Sequence, residues 1–238
     1  MPAAGTLTLQ PIGRLHSPYR EKFAVPRQPG LVSHAHARLE LLPPFNDPQT
    51  LRGIEQYSHL WLIFQFHHCA EQGWHPTVRP PRLGGNERMG VFATRSPFRP
   101  NGLGLSVVRL EGWQQQGAAV WLDLSGVDLV DGTPILDIKP YVPFADSLPT
   151  AVSQFAPEPP PCIPVRFTAQ AEQQIAAASA RYPGLRDFIH DVLAQDPRPA
   201  FHQRQAHAER EYGVHLYDFN VRWRMENDSA VVSALETI

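Results

Sequence analysis

Residues 149–164 read PTAVSQFAPEPPPCIP, and six of the sixteen are proline. A proline has no amide hydrogen and a φ locked near roughly −65°, so this density supports neither a helix nor a central strand and makes a stiff spacer instead. We therefore divide the chain into residues 1–150, a linker over 151–164, and residues 165–238. The two flanks differ in hydrophobic period. Upstream, the short apolar segments TLQPIGRL, ARLELL, HLWLIFQF, MGVFA, LSVVRLEGW, AVWLDLSGVDLV and ILDIKPYV recur between turn signals, as in an all-β sandwich or barrel. NDPQTLRGIEQY is the exception there, with Asp47 as a cap and Pro48 in the first turn of a short helix. Downstream, PVRFTA reads as one strand and AEQQIAAASARYPG as a helix. GLRDFIHDVLAQDP sets Leu185, Phe188, Ile189, Val192 and Leu193 on one helical face. VHLYDFNVRWRMEN and AVVSALETI alternate like a half-buried antiparallel pair, so this part is a small α+β unit. The fold class is mainly β.

The chain has 238 residues with 42% apolar and 18% charged side chains, a globular composition. No apolar run approaches the ~20 residues of a membrane span, and the amino terminus has no basic segment followed by an apolar stretch. The expectation is a cytoplasmic protein without membrane contact. Cys69 and Cys162 show no metal-type or redox spacing, which fits a reduced compartment.

The formal net charge of −2 hides a cationic segment. From Arg79 to Arg109 six arginines, at 79, 82, 88, 95, 99 and 109, face one acid, Glu87. Arginine forks suit phosphates, carboxylates and aromatic faces, so this segment suits phosphate attraction. Within it, VFATRSPFRPNGLGL (91–105) braces a loop with Pro97 and Pro100, while Asn101 and Gly102 permit positive φ at the reversal. Arg95 and Arg99 are then held outward, toward a carboxylate or a phosphate. NGLGLS matches neither a G-x-G-x-x-G nor a Walker pattern, which argues against a nucleotide-binding sheet.

His59, His67, His68 and His75 lie near Cys69, a residue set known from zinc sites. Adjacent His67 and His68 point to opposite faces if they end a strand, so the expectation is no metal. Asp137 and Lys139 share a strand face, and a charged pair beside a core needs a role if it is buried. In the small unit, QDPRPAF and YDFNVRWR mix arginine, asparagine and aromatic residues in the manner of single-stranded RNA binders. From Cys162 onward, eight arginines face ten acids, so general electrostatic attraction does not come from there. A noncatalytic module reading an anticodon loop and a metal-dependent hydrolase are the competing functional classes.

EKFAVPRQPGLV, GVFATRSPFRPNGLGLS, VDLVDGTPILDIKPYVPFADS, DPRPA and DFNVRW, in this order, closely resemble the TrmO (TsaA-like) family, methyltransferases of N6-threonylcarbamoyladenosine in tRNA. The resemblance spans both units. It implies S-adenosylmethionine bound to an N-terminal β-barrel, a homodimer, and methyl transfer to N6 of the modified adenosine beside the anticodon. By the same resemblance, cofactor contacts fall on Pro26, Arg27 and Gln28, on His67 and His68, on Arg95 and Leu105, and on Asp128, Leu129, Val130 and Asp131. The target nitrogen must lose a proton, so a base or a cation is expected beside it. Asp137 and Lys139 are the candidates, with Tyr141 a lesser one. Arg99 and Asn101 are assigned to the threonyl carboxylate and hydroxyl, and Arg198, Asn220 and Arg222 to tRNA. The apolar strand HLWLIFQF is the expected dimer surface.

Overall fold

The computed structural model describes Gly5 and residues 7–80, 87–199 and 210–238. Arg82 of the cationic segment and Phe201 of QDPRPAF lie outside the described residues. The first sheet contains β1 (Gly13–His16), β2 (Ala37–Leu41), β3 (His59–Gln65), β6 (Leu103–Gln116), β7 (Ala119–Ser125) and β8 (Pro134–Pro140), with the short pair β4 (Thr77–Val78) and β5 (Met89–Gly90) set apart. Its strands run in the order β1-β2-β7-β6-β3-β8, and β8 pairs back onto β1, so the sheet closes on itself. Alternation explains the closure. Leu60, Leu62 and Phe64 of β3, Leu39 and Leu41 of β2, and Val120, Leu122 and Leu124 of β7 all turn inward and are buried. β6 serves two neighbours: Leu103 to Arg109 pair with β3, and Arg109 to Gln116 pair with β7 through an irregularity between Leu110 and Gly112. A bulge at a glycine lets one long strand bend around the closed sheet in this way.

A four-residue helix, α1 (Pro143–Asp146), follows β8, and residues 147–164 carry neither helix nor strand. The second sheet then forms in the order β10-β11-β12-β9, from β9 (Val165–Phe167), β10 (Glu211–Leu216), β11 (Phe219–Glu226) and β12 (Ser229–Thr237). Helices α2 (Ala169–Ala178) and α3 (Leu185–Ala194) complete this layer. Thr168 caps α2 by accepting from the Ala171 amide, and all five apolar residues assigned to one face of α3 are buried. VHLYDFNVRWRMEN is not one strand. Tyr217 adopts a positive φ of 54° and breaks it into the β10–β11 hairpin, so three antiparallel strands stand where a pair was expected. Asp47 caps a 3-10 turn, Pro48–Leu51, in place of an α-helix.

The two layers share one continuous core, in which the Tyr19 ring packs 5.7 Å from Phe188 of α3. No described helix is long and apolar enough to cross a membrane.

Candidate active site

At one end of the closed sheet, two chain reversals and one loop enclose a cavity of about 210 Å³. The first reversal follows β3. The chain leaves Gln65 into a 3-10 turn, His67–Gln72, with the His67 and His68 ring centroids 4.2 Å apart. The strand therefore ends before the histidines, and both line the cavity, in contrast to the opposite faces that a continuing strand would impose. Burial, with the neighbouring His68 next, lowers the pKa of His67 and keeps its ring neutral at neutral pH. Behind the turn, the Lys22 ammonium donates to the His68 carbonyl at 2.9 Å and to the Cys69 sulfur at 3.3 Å.

The second reversal lies between β7 and β8. Gly126 and Gly132, at φ 70° and 77°, bracket a loop in which Asp128, Leu129 and Val130 face the cavity. The Asp128 carboxylate accepts from the Ser106 hydroxyl. Burial nevertheless dominates and raises its pKa to about 6, with the Ser106 bond, its own backbone and Arg95 pulling the other way. Phe64, Phe66 and Leu129 supply an apolar wall.

The 91–105 loop is the third side. Pro97 lines the cavity, and the Arg95 guanidinium donates to the side-chain oxygen of Gln28, joining two of the segments assigned to cofactor contact. Arg99 is not held outward. Its guanidinium folds back onto the carbonyls of Val91 (3.2 Å) and Thr94 (2.7 Å), because the turn between them leaves acceptors that a planar cation can satisfy. Gly102 takes the positive φ of the reversal, 59°, and Asn101 does not. Gly104 has a different reason to be glycine: an added Cβ would lie 2.2 Å from the Phe64 ring.

Other assigned residues are placed elsewhere. Pro26 is buried and Arg27 exposed, both beside Gln28. Leu105, paired with Ile63, faces outward and is 55% exposed. Asp137 and Lys139, paired with Ile63 and Trp61, lie on that same outer face, 3.1 Å apart and largely solvated. No desolvation cost demands a role for them, which corrects the argument that selected them. Tyr141 packs against Trp61 there, the rings tilted by 46° with centroids 5.8 Å apart. In the second layer, Arg198 is held in a bidentate pair with Asp196, Arg222 pairs with Glu211, and Asn220 donates to Glu236. These three are each committed to an acid of their own chain.

Asp131 is also committed. Its carboxylate accepts from the Ser17 amide at 2.9 Å and from Arg20. Sequence reasoning passed over this segment, Ser17 to Glu21. On one side it holds the 128–131 loop, through Ser17 Oγ to the Leu129 carbonyl (2.7 Å) and the Asp131 amide to the Tyr19 carbonyl (2.8 Å). On the other it meets β10 and the hairpin turn, through the Tyr19–Leu216 bridge, Arg20 Nε to the Tyr217 carbonyl (2.8 Å) and the His215 amide to Glu21 (3.0 Å). The one visible signal was an arginine in HSPYRE with no local acid except Glu21.

Among the described residues no three histidine, cysteine, aspartate or glutamate side chains gather closely enough to hold a metal ion. Family models for the tRNA-methyltransferase O N-terminal domain and the TrmO C-terminal domain match residues 14–147 and 160–238. The chain is 54% identical to the tRNA (adenine(37)-N6)-methyltransferase of Escherichia coli (strain K12), covering 94% of this chain and 96% of that one. It is 50% identical to a putative S-adenosylmethionine-dependent methyltransferase of Pseudomonas aeruginosa, covering 92% of each. The crystal structure of TrmO from Pseudomonas aeruginosa superposes with a TM-score of 0.81 at 42% identity, covering 98% of this chain and 99% of that one. The chain belongs to the tRNA-methyltransferase O family.

Proposed function

We infer that this chain is an S-adenosylmethionine-dependent methyltransferase acting on N6 of adenine 37 in tRNA, and we propose that the methylated base is N6-threonylcarbamoyladenosine. The observation that carries the reading is the convergence of His67–His68, Pro97 and Asp128–Val130, distant in sequence, around one cavity of a closed sheet, with the Gln28–Arg95 contact tying together the segments that give Val25 and Pro97 to its wall. We propose this sheet as the cofactor-binding barrel. The lining suits the cofactor: an anionic Asp128 for its cationic groups and an apolar wall for the adenine. When bound, S-adenosylmethionine supplies an electrophilic methyl on its sulfonium.

The rest falls to side chains. Phe64, Phe66 and Leu129 exclude water, and placement against the incoming nitrogen provides most of the acceleration. His67, kept neutral by burial, is our proton acceptor in place of the solvated Asp137 and Lys139. We also propose a homodimer through the outer face of β3, where exposed Leu105 and half-buried Trp61 and Ile63 lie beside the Asp137–Lys139 pair. The unit over 1–150 holds the cofactor and that over 165–238 lies along the tRNA, in the cytoplasm.

The test is mass spectrometry of nucleosides from tRNA incubated with protein and S-adenosylmethionine, using one tRNA prepared with and without the threonylcarbamoyl group. A gain of one methyl on the modified adenosine alone supports the reading. Methylation of both tRNAs alike removes the threonylcarbamoyl group as a determinant, and methylation of neither removes the activity.

A further inference from the structure

Phe92 is 75% exposed, yet its turn is braced by three side-chain hydrogen bonds. The 3-10 turn Val91–Ala93 is closed by the Thr94 amide and hydroxyl, both donating to the Val91 carbonyl. The Arg99 guanidinium then caps the Val91 and Thr94 carbonyls from below, with its carbon 5.8 Å from the Phe92 ring. An apolar ring in water is unfavourable and a loose loop would fold it away, so a brace that keeps it outward points to a partner for the ring. A second large ring lies on the adjoining segment: Trp74 is 53% exposed. The two segments are tied together by the His75 amide to the Phe98 carbonyl (3.2 Å), the Val91 amide to the Pro76 carbonyl (3.0 Å) and the β4–β5 pair.

The charge around these rings selects the partner. Arg79, Arg88 and Arg95 are exposed on the same segments, against Glu71 and Glu87. Aromatic faces interleaved with arginines stack bases and neutralise phosphates in single-stranded RNA, whereas a protein surface would be met by a more mixed set of charges. Position agrees with this. The loop that presents Phe92 also gives Pro97 to the cavity wall, and the turn preceding Trp74 gives His67 and His68. An enzyme that methylates one base of a folded RNA loop must separate that base from its neighbours, and the neighbours then need new faces to stack on.

Resting on the methyltransferase reading above, we propose that Phe92 and Trp74 form the stacking platform for the bases flanking the target adenine, with Arg99 as the positioning residue that holds the Phe92 turn outward. This assigns Arg99 to the architecture of the RNA site, in place of direct contact with the threonyl group.

The experiment measures binding of a fluorescein-labelled stem-loop RNA of anticodon-arm sequence by anisotropy, beside calorimetric titration with S-adenosylmethionine, on the full chain. Phe92→Ala should raise the RNA dissociation constant roughly 5- to 150-fold, the range for one lost base stack, and leave cofactor affinity unchanged. Phe92→Tyr should restore RNA binding, since a phenol stacks as well as a phenyl ring. Arg99→Met should reproduce the Phe92→Ala loss with an unchanged salt slope, because no phosphate contact is removed. Trp74→Phe should keep affinity while abolishing RNA-induced quenching of tryptophan fluorescence. RNA affinity within about twofold of the parent in Phe92→Ala overturns the platform, as does a matching loss of cofactor affinity, which would make the turn part of the cofactor site. If the unaltered chain itself neither binds nor methylates RNA, the methyltransferase reading fails, independently of Phe92.

Discussion

Asp128 shows how one side chain couples fold and function through a proton. Its carboxyl is raised from 3.8 to about 6, so between those values the folded chain holds the proton more tightly than the unfolded chain. Stability contributed by this group is therefore present in acid and lost as pH rises from about 4 through about 6. Urea unfolding of the parent and Asp128→Asn across that window should show the parent losing ground relative to the variant as pH rises. Cofactor binding runs the opposite way. A cationic ligand selects the carboxylate, so calorimetry should show affinity falling below about pH 6 in the parent and a flat response in Asp128→Asn. Gly104 is the second residue with a single physical reason. Gly104→Ala drives a Cβ into the Phe64 ring, and we expect a loss of about 1–3 kcal/mol in unfolding free energy together with weaker cofactor binding, because Phe64 is cavity wall. That reason was not legible in NGLG: it lies in a side chain on another strand, about forty residues away in sequence.

At the scale of elements, the segment from Ser17 to Glu21 works as a strap between the 128–131 cavity loop and the β10–β11 hairpin. Arg20 touches both, with Asp131 on one side and the Tyr217 carbonyl on the other. Because the ion pair is partly solvated, its own contribution is small, about 1 kcal/mol or less. Its effect on the loop should exceed its effect on stability. Arg20→Met and Asp131→Asn are each expected to weaken cofactor binding several-fold in calorimetry while moving the melting temperature little, and the double variant should be no worse than either single one, since both remove the same contact. Additive losses would show that the two residues act separately. Most strands, both longer helices and their inward faces were readable from period, as α3 illustrates with its five buried apolar residues, but MGVFA pairs only at Met89–Gly90 before a 3-10 turn, and AVWLDLSGVDLV leaves the sheet after Ser125. The hairpin inside VHLYDFNVRWRMEN was not, because alternation continues through Tyr217 and only its positive φ marks the turn.

Across the whole molecule, the outer face of β3 carries the proposed dimer, and light scattering should return about twice the chain mass. Ile63→Glu should shift that mass toward the monomer, since a carboxylate cannot be left in an apolar contact without a partner. We propose the exposed Arg79 and Arg88 for RNA attraction, and replacing either by alanine should weaken tRNA binding across sequences and flatten its salt dependence by about one counterion. The chain order of its motifs sufficed to identify the family, and hydrophobic period with proline density sufficed for the strands, the two helices and the irregular stretch between the layers, because these depend on local backbone preferences and on which face avoids water. What sequence could not decide was the fate of each polar side chain. Arg99, Arg198 and Arg222 looked alike as free cations, and only the Asp137–Lys139 pair, two residues apart on one strand face, was legible. Only the tertiary structure settles that Arg99 caps two carbonyls, Asp131 ties down a loop and the Asp137–Lys139 pair lies on the outer face. A charge takes its role from the partner that folding brings to it, and those partners lie five and eight residues away for Arg99 and more than a hundred for Asp131, distances over which no local pattern carries information.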